Sequence, residues 1–332
     1  MFENRRSIEL PADLPPQLIA VVDTEEEFDW RAEPDSAADG VTAMDSIDRV
    51  QDVFDEYGVT PCYVIDYPIA SKPGGYRKLK AYAEEGRCEI GAHLHPWVNP
   101  PVSEALTRAN TYPGNLPAEL ERQKLSLLRD TIQQNLGVLP VAYKAGRYGF
   151  GPNTGRTLQE LGFHIDLSIC PPLDSRSDGG PDYRRFDAWP FWFGEGDDPM
   201  LELPCTGGFV GWSGRAALSM YEAGLALKKF RAPGVLSRVG AVDRLMLSPE
   251  GFTTGEHIRL VRALYRQGLR SFTWSFHSPS VVPGNTEYVQ NDEQLTDFID
   301  RFRRFFDFFF NELGGQATTP TGLHRLIREN RL

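Results

Sequence analysis

Cysteine is scarce in this 332-residue chain: Cys62, Cys88, Cys170 and Cys205 lie far apart, with no C-x-x-C pair. Thiols so scattered exclude a zinc ribbon and a disulfide-stapled scaffold. Basic charge is also short. Lys and Arg number 35 against 46 Asp and Glu, a net charge of −11 with no basic block. Phosphate-backbone binding draws its affinity from Lys and Arg, so nucleic acid is excluded as a partner class. Long apolar runs are missing as well. The densest, Phe302 to Leu313, is broken by Arg303, Arg304, Asp307, Asn311 and Glu312, and nothing approaches the roughly 18 residues of a membrane span. The opening MFENRRSIELPADLPPQ has no apolar h-region, so no Sec signal is expected and the chain reads as cytoplasmic.

Core material is abundant by contrast. Hydrophobic residues make up 41% and aromatic residues 11%, with 20 Phe, which rules out disordered and fibrous classes. Strand-like and helix-like segments alternate. The run Leu18–Asp23 reads as a buried strand, followed by a helix over Asp45–Tyr57 that Gly58 stops. Further strands are expected at Thr60–Asp66, Cys88–Ala92, Val141–Lys144 and Ile165–Ile169, with helices at Tyr76–Glu85, Pro117–Leu136 and Asn153–Leu161. Residues 171–212 are rich in Pro, Gly, Asp and Trp and read as an irregular insertion, with short strands at Ala188–Phe193 and Met200–Leu203. Beyond it come a helix at Ala216–Phe230, strands near Arg244–Leu247 and Ser271–Phe276, a helix at Gly255–Gln267, and C-terminal helices within 292–332. Seven or so βα units without an internal repeat favour an α/β barrel in a single domain over 1–332, its core at about 18–280.

Chemistry in such barrels sits where strands end, and this sequence places its unusual polar residues there. The first strand ends in Asp23-Thr24-Glu25-Glu26-Glu27, the third in His93-Leu94-His95-Pro96-Trp97, a later one in Lys144-Ala145-Gly146-Arg147-Tyr148-Gly149-Phe150, and the last in Phe276-His277-Ser278. Residues i and i+2 of extended backbone point to one side, so His93 and His95 can offer nitrogens to one metal, with a carboxylate of the first strand end as third ligand. Taken singly, each segment has an ordinary reading as a solvated face, an ion pair or a core histidine. Their shared position at strand ends favours a functional one.

The order of carboxylate patch, EIGAHLHPW, AGRYGF and SFHS resembles the polysaccharide deacetylase, or NodB-homology, family of carbohydrate esterases. The resemblance covers roughly residues 18–280 and implies a distorted (β/α)7 barrel. It implies a divalent metal, zinc foremost, held by one carboxylate and two histidines. In the family's Thr-Phe-Asp-Asp-Gly motif the first Asp is the base and the second a ligand. Asp23 matches the base, Thr24 occupies the ligand position, and Glu25 is the substitute ligand, with Glu26 next. His93 matches the first histidine of the second motif, and the pair contracts to His93 and His95. Arg147 matches the arginine that holds the base, with Gly149 in place of proline, and the backbone N–H near Phe150 matches the oxyanion donor. Asp187-Ala188-Trp189 echoes the motif that braces the arginine, and His277 matches the late acid, with Ser275 where the family has leucine.

The activity so implied is removal of an acetyl group from an N-acetylated sugar or polysaccharide precursor. A carbohydrate partner gives the clustered tryptophans a use, since sugars stack on aromatic faces. Trp30 and Trp97, beside the two acidic and histidine segments, are the expected platforms, with Trp189, Trp192, Trp212 and Trp274 also near strand ends or loops. Two other readings stay open at this point: a catalytically silent glycan-binding module without metal, and an amidase acting on a small non-sugar C–N bond. The Phe-rich helix at Leu295–Leu313 lacks a basic face, so it reads as core plus a homo-oligomer contact and not as a membrane element.

Overall fold

The computed structural model describes residues 2, 4–196, 198–227 and 232–330. Its strands are β1 (Arg6–Ser7), β2 (Gln17–Thr24), β3 (Cys62–Ile65), β4 (Glu89–Leu94), β5 (Ala142–Ala145), β6 (Ile165–Asp166), β7 (Phe191–Phe193), β8 (Met200–Glu202), β9 (Gly207–Val210), β10 (Asp243–Met246), β11 (Ser271–His277) and β12 (Gln316–Thr318). The helices are α1 (Asp48–Glu56), α2 (Tyr67–Ser71), α3 (Pro73–Glu84), α4 (Ala118–Leu136), α5 (Thr154–Glu160), α6 (Ala217–Ala226), α7 (Ala232–Arg238), α8 (Thr254–Arg266), α9 (Asp292–Phe306) and α10 (Pro320–Glu329). The strand-helix alternation matches the pattern read from hydrophobic spacing. The helix expected over Ala216–Phe230 is present as α6 over Ala217–Ala226, and its expected last residues 228–230 lie outside the described residues.

The sheet is mixed, with a parallel centre. Its order is β1-β7-β8-β6-β5-β4-β3-β2-β11. The six ladders from β8 to β11 are all parallel, and β1 and β7 add antiparallel pairings beyond β8. No ladder joins β8 to β11. Single bonds approach across that side: Leu247 N–H donates to Thr206 O at 2.8 Å, and Ser275 N–H donates to Leu247 O at 3.2 Å. β12 pairs residues 17–19 of β2, below the stretch 21–24 that pairs β3.

Side chains alternate across a strand, and two buried apolar clusters follow that alternation. Leu18, Ala20 and Val22 of β2, Tyr63 and Ile65 of β3, Tyr143 of β5, and Phe272, Trp274 and Phe276 of β11 pack outward on the helices. Ile19 and Val21 of β2, Cys62 and Val64 of β3, Ala142 of β5 and Leu201 of β8 face the other way. There they meet Ile8, Leu10 and the α10 residues Leu323 and Ile327. Thr321 at the start of α10 contacts Glu89 at the start of β4, so α10 covers the end of the sheet where strands begin. Continuing the second row toward the strand ends brings Asp23, His93, Lys144, Ser275 and His277 together at the opposite end.

The Phe-rich helix supplies much of the core. Phe298, Phe302, Phe305, Phe306, Phe308 and Phe309 are buried, and Trp274 stacks on Phe305 with ring centroids 4.5 Å apart. The helix ends as a π-turn over Asp307–Glu312, which turns consecutive phenylalanines to the core. Among the described residues, no helix is long and apolar enough to cross a membrane.

Candidate active site

Adjacent strands in register converge on one pocket of buried polar groups. Asp23 lies opposite His277 across β2–β11, and His93 lies opposite Lys144 across β4–β5. Glu25 and Glu26 follow directly after β2. The Glu25 N–H donates to Ser278 Oγ at 3.2 Å, and the Glu26 N–H donates to Asp66 Oδ2 at 2.7 Å.

Among the described residues, Glu25, His93 and His95 form one of two clusters whose ligand atoms lie within 4.8 Å of one another. Glu25 Oε2 is 3.8 Å from His93 Nε2 and 3.4 Å from His95 Nε2. Both imidazoles are anchored from behind: His93 Nδ1 donates to Lys144 O at 2.9 Å and His95 Nδ1 to Glu26 Oε2 at 2.7 Å. That arrangement fixes the tautomer and leaves each Nε2 lone pair free. Burial holds His93 below its ordinary pKa and His95 at about 4, so both rings are neutral, the form that ligates. Burial raises Glu25, and its Oε1 is buried without a hydrogen-bond partner among the described residues. A buried carboxylate with one oxygen facing two fixed, neutral imidazoles and the other without a hydrogen-bond partner among the described residues is a donor set that fits a divalent cation. The second cluster, Glu26, Asp66 and His95, shares His95 with the first. Its Nδ1 already serves Glu26, so this cluster orients the first. Burial raises Glu26 to about 8, with a hydrogen bond to Asp66 opposing and the Glu25 charge adding, and burial together with the neighbouring Glu26 raises Asp66 well above the usual range. Glu25 faces both Nε2 atoms, and Glu26 stands behind His95.

Asp23 is held by Lys144, not by Arg147. Lys144 Nζ donates to Asp23 Oδ1 at 2.6 Å, to Oδ2 at 2.8 Å and to Ser275 Oγ at 2.8 Å. All three residues are buried. Burial alone would raise Asp23, but the Lys144 charge, with His93 and His277, brings it below the ordinary carboxylate value. Arg147 instead pairs with Asp178, donates to Thr111 Oγ1 and lies over the Tyr112 ring at 4.4 Å. The reason is backbone shape. After β5 the chain enters positive φ at Arg147 (54°) and Tyr148 (60°), which swings Arg147 to the rim. Gly146 is forced by the same turn, since a Cβ there would strike Leu94 O and the His95 ring. Asp187 does not brace Arg147; it pairs with Arg5 at 3.6 Å.

His277 faces Asp23 across 3.7 Å from Nε2, while its Nδ1 donates to Glu250 Oε2 at 2.7 Å. Burial opposes its charge, but Glu250, Glu25 and Asp23 outweigh it and lift His277 to about 10, so the ring is an imidazolium at neutral pH. Ser280 Oγ donates to Glu250 Oε1 at 2.5 Å and fixes that carboxylate in turn. Glu250, Lys144 in its true role and Asp178 are the functional-looking residues that pattern reading missed. For Lys144 a signal was present: one lysine inside AYKA, an otherwise uncharged strand, needs a buried carboxylate. Glu250, in the SPEGF loop after β10, carries no such mark.

The expected sugar platforms fare differently. Trp30 is half-buried and meets His277 edge-on, with centroids 4.6 Å apart. Trp97 is buried and stacks on His95 at 4.3 Å, so it orients a ring and offers no open face. Phe150 is core, stacked on Phe2 at 4.7 Å and edge-on to Phe193. Its N–H donates to Tyr148 O at 2.9 Å, which takes up the expected oxyanion donor. Trp274 and Trp192 are buried in strands.

By sequence, no protein-family profile and no curated protein matches the chain. By structure it is similar to a chain assigned to the polysaccharide deacetylases from Mycobacterium smegmatis, with TM-score 0.53, 15% identity, and 98% of this chain and 94% of that one aligned. The chain has the fold of the polysaccharide deacetylases. A 4-alpha-glucanotransferase from Thermococcus litoralis aligns at TM-score 0.52 and 14% identity over 93% of this chain and 40% of that one. A peptidoglycan N-acetylglucosamine deacetylase aligns at TM-score 0.47 and 10% identity, over 95% and 90%. In this deacetylase fold, the acidic and histidine clusters described above occupy the ends of consecutive parallel strands.

Proposed function

We propose that the protein is a metal-assisted deacetylase that hydrolyses the amide of an N-acetylated sugar or polysaccharide precursor. The observation that carries this reading is the convergence of Glu25, His93 and His95, each imidazole fixed through Nδ1, beside a Lys-bound aspartate and a charged histidine. Glu25 Oε and the two Nε2 atoms would hold the cation. A divalent metal there supplies Lewis acidity, polarising the acetyl oxygen and lowering the pKa of a water.

The chain's own groups handle the protons. Asp23 is ionised at neutral pH because Lys144 neutralises it, so its carboxylate accepts a proton from the attacking water. Lys144 stays charged throughout and keeps Asp23 Oδ1 and Oδ2 in place. His277, protonated and oriented by Glu250, donates from Nε2 to the departing nitrogen. Glu250 then holds the ring while it is neutral. Asp23 and Glu25 are only 2% and 3% exposed, whereas the His277 side chain is 20% exposed. His277 and Trp30, in edge-on contact, are the more exposed side of the site, and the acyl end of a substrate would reach Asp23 past them.

Metal analysis on untagged protein tests this directly. The expected result is about one divalent ion per chain in the wild type, lost in both His93→Ala and His95→Ala, with deacetylation of N-acetylated sugars lost in parallel. Protein that takes up no divalent ion after supplementation defeats the hydrolase reading and leaves a metal-free binding module. Metal with turnover of small amides but no N-acetyl sugar moves the substrate to a non-sugar C–N bond.

A further inference from the structure

The two histidines of the metal cluster are placed by different means. His93 lies within β4 and is held in register against Lys144 of β5. His95 lies one residue past the end of β4, so its position depends on the turn that follows. That turn is Pro96-Trp97-Val98-Asn99-Pro100-Pro101. Three of its six residues are prolines, which have no N–H to donate. Its carbonyls therefore outnumber the donors of its own backbone, and a buried carbonyl without a donor is costly. The turn needs donors from elsewhere.

Lys124, on α4, supplies them. Its Nζ donates to Pro96 O at 2.9 Å, to Asn99 O at 2.6 Å and to Pro101 O at 2.8 Å. An ammonium has three hydrogens, and the three carbonyls take them all. Glu104 Oε1 stands 2.9 Å from Nζ and balances the charge, with no hydrogen bond of its own among the described residues. Both side chains are buried, at 0% and 5% exposure. The turn is tied back to α4 and to His95 as well. Asn99 Nδ2 donates to Lys124 O at 3.2 Å, and the Val98 and Asn99 N–H groups donate to His95 O at 3.4 and 3.1 Å. Trp97, within the same turn, stacks on the His95 ring.

We infer that Lys124 is a positioning residue for the metal centre: through the Pro96, Asn99 and Pro101 carbonyls it sets the turn that presents His95 to Glu25 and His93. The inference rests on the deacetylase reading for what the centre is, and adds how the centre is held. Lys124 touches no ligand side chain and acts through backbone. A lysine suits this task because its ammonium is a compact charge with three rotatable donors, whereas arginine offers a planar fork. Its loss would leave three carbonyls and the Glu104 carboxylate without a partner. His93 would stay on its strand, so a bound cation would lose one imidazole of the two.

Zinc affinity by chelator competition tests the assignment, alongside hydrogen exchange of the metal-free protein. In the metal-free wild type the Val98 and Asn99 amides should exchange as slowly as those of β4. Lys124→Met should speed exchange at Trp97, Val98 and Asn99, leave β4 protected, and weaken zinc binding about tenfold or more. Phe305→Ala, a core variant in the helix layer, should keep wild-type zinc affinity, which separates positioning from general loss of stability. In Lys124→Ala, n-propylammonium replaces the atoms removed and should restore zinc affinity, whereas n-propanol should not. If Lys124→Met does not fold, the wild-type exchange and the propylammonium response of Lys124→Ala still decide. A folded Lys124→Met that binds zinc like wild type, an equal loss in Phe305→Ala, or rapid exchange at Val98 and Asn99 in the wild type would each overturn the inference. A wild type that takes up no zinc defeats the deacetylase reading instead, and the exchange comparison, made without metal, then decides whether Lys124 sets the turn.

Discussion

At the scale of single residues, Lys144 and Arg147 are three positions apart and have separate duties. Lys144 is the counter-charge of a buried carboxylate, and removing one partner of such a pair leaves the other uncompensated. Lys144→Met should therefore lower stability by about 3–5 kcal/mol in urea unfolding and abolish deacetylation. Arg147→Ala, which loses a rim contact to Asp178, should fold normally and keep its base. An Arg147→Ala variant as inactive as Lys144→Met would return the arginine to the role its motif suggests. His277 gives a pH prediction with a definite sign. Its pKa rises from 6.5 in the unfolded chain to about 10 in the fold. The stability it contributes is thus full below about pH 6.5 and is lost as pH rises through 10. Urea midpoints of metal-free protein between pH 6 and 10 should fall along that window, and Glu250→Gln should flatten the fall. The same variant should bring the alkaline limb of the rate profile to lower pH.

At the scale of elements, Trp274 and Phe305 join β11 to α9 through stacked rings 4.5 Å apart, tilted by only 10°. Phe305→Ala should cost about 3–5 kcal/mol, read as a lower denaturation midpoint with unchanged slope. Strand and helix positions were legible because the apolar spacing of Leu18–Asp23 or Pro117–Leu136 has no other good use. What was not legible was pairing. Nothing in Arg6–Ser7 or Gln316–Thr318 marks them as strands, and they become so only by completing hydrogen bonds on β7 and β2. The site divides the same way. Glu25, His93, His95 and His277 announce themselves at strand ends, and the structure brings them together. Lys144, Glu250 and the displacement of Arg147 depend on which side chain meets which across strands distant in sequence. The turn of positive φ at Arg147 and Tyr148, which decides that displacement, has no glycine at either residue to signal it.

For the molecule as a whole, the proposed ligands Glu25, His93 and His95 come from the ends of two separate strands, β2 and β4, so cation binding at the site would couple occupancy to folding. A cation at a hundredfold excess over its Kd adds about 2.7 kcal/mol to unfolding. Chelation should lower the melting temperature of the wild type, zinc should restore it, and His93→Ala should melt at one temperature with or without chelator. A melting temperature indifferent to chelation would mean that the site holds no cation. The alternation of faces along the strands has a further consequence, for how such a chain can diverge. Reactive and core side chains take turns on β2, β4, β5 and β11, so a single-codon deletion inside β5 would exchange Lys144 for Ala145 at the centre of the site. The connections between strands carry no such phase. Insertions and deletions among related sequences should accumulate in stretches such as 27–41 and 105–117, while the few codons of each strand stay fixed in number even where their identities drift.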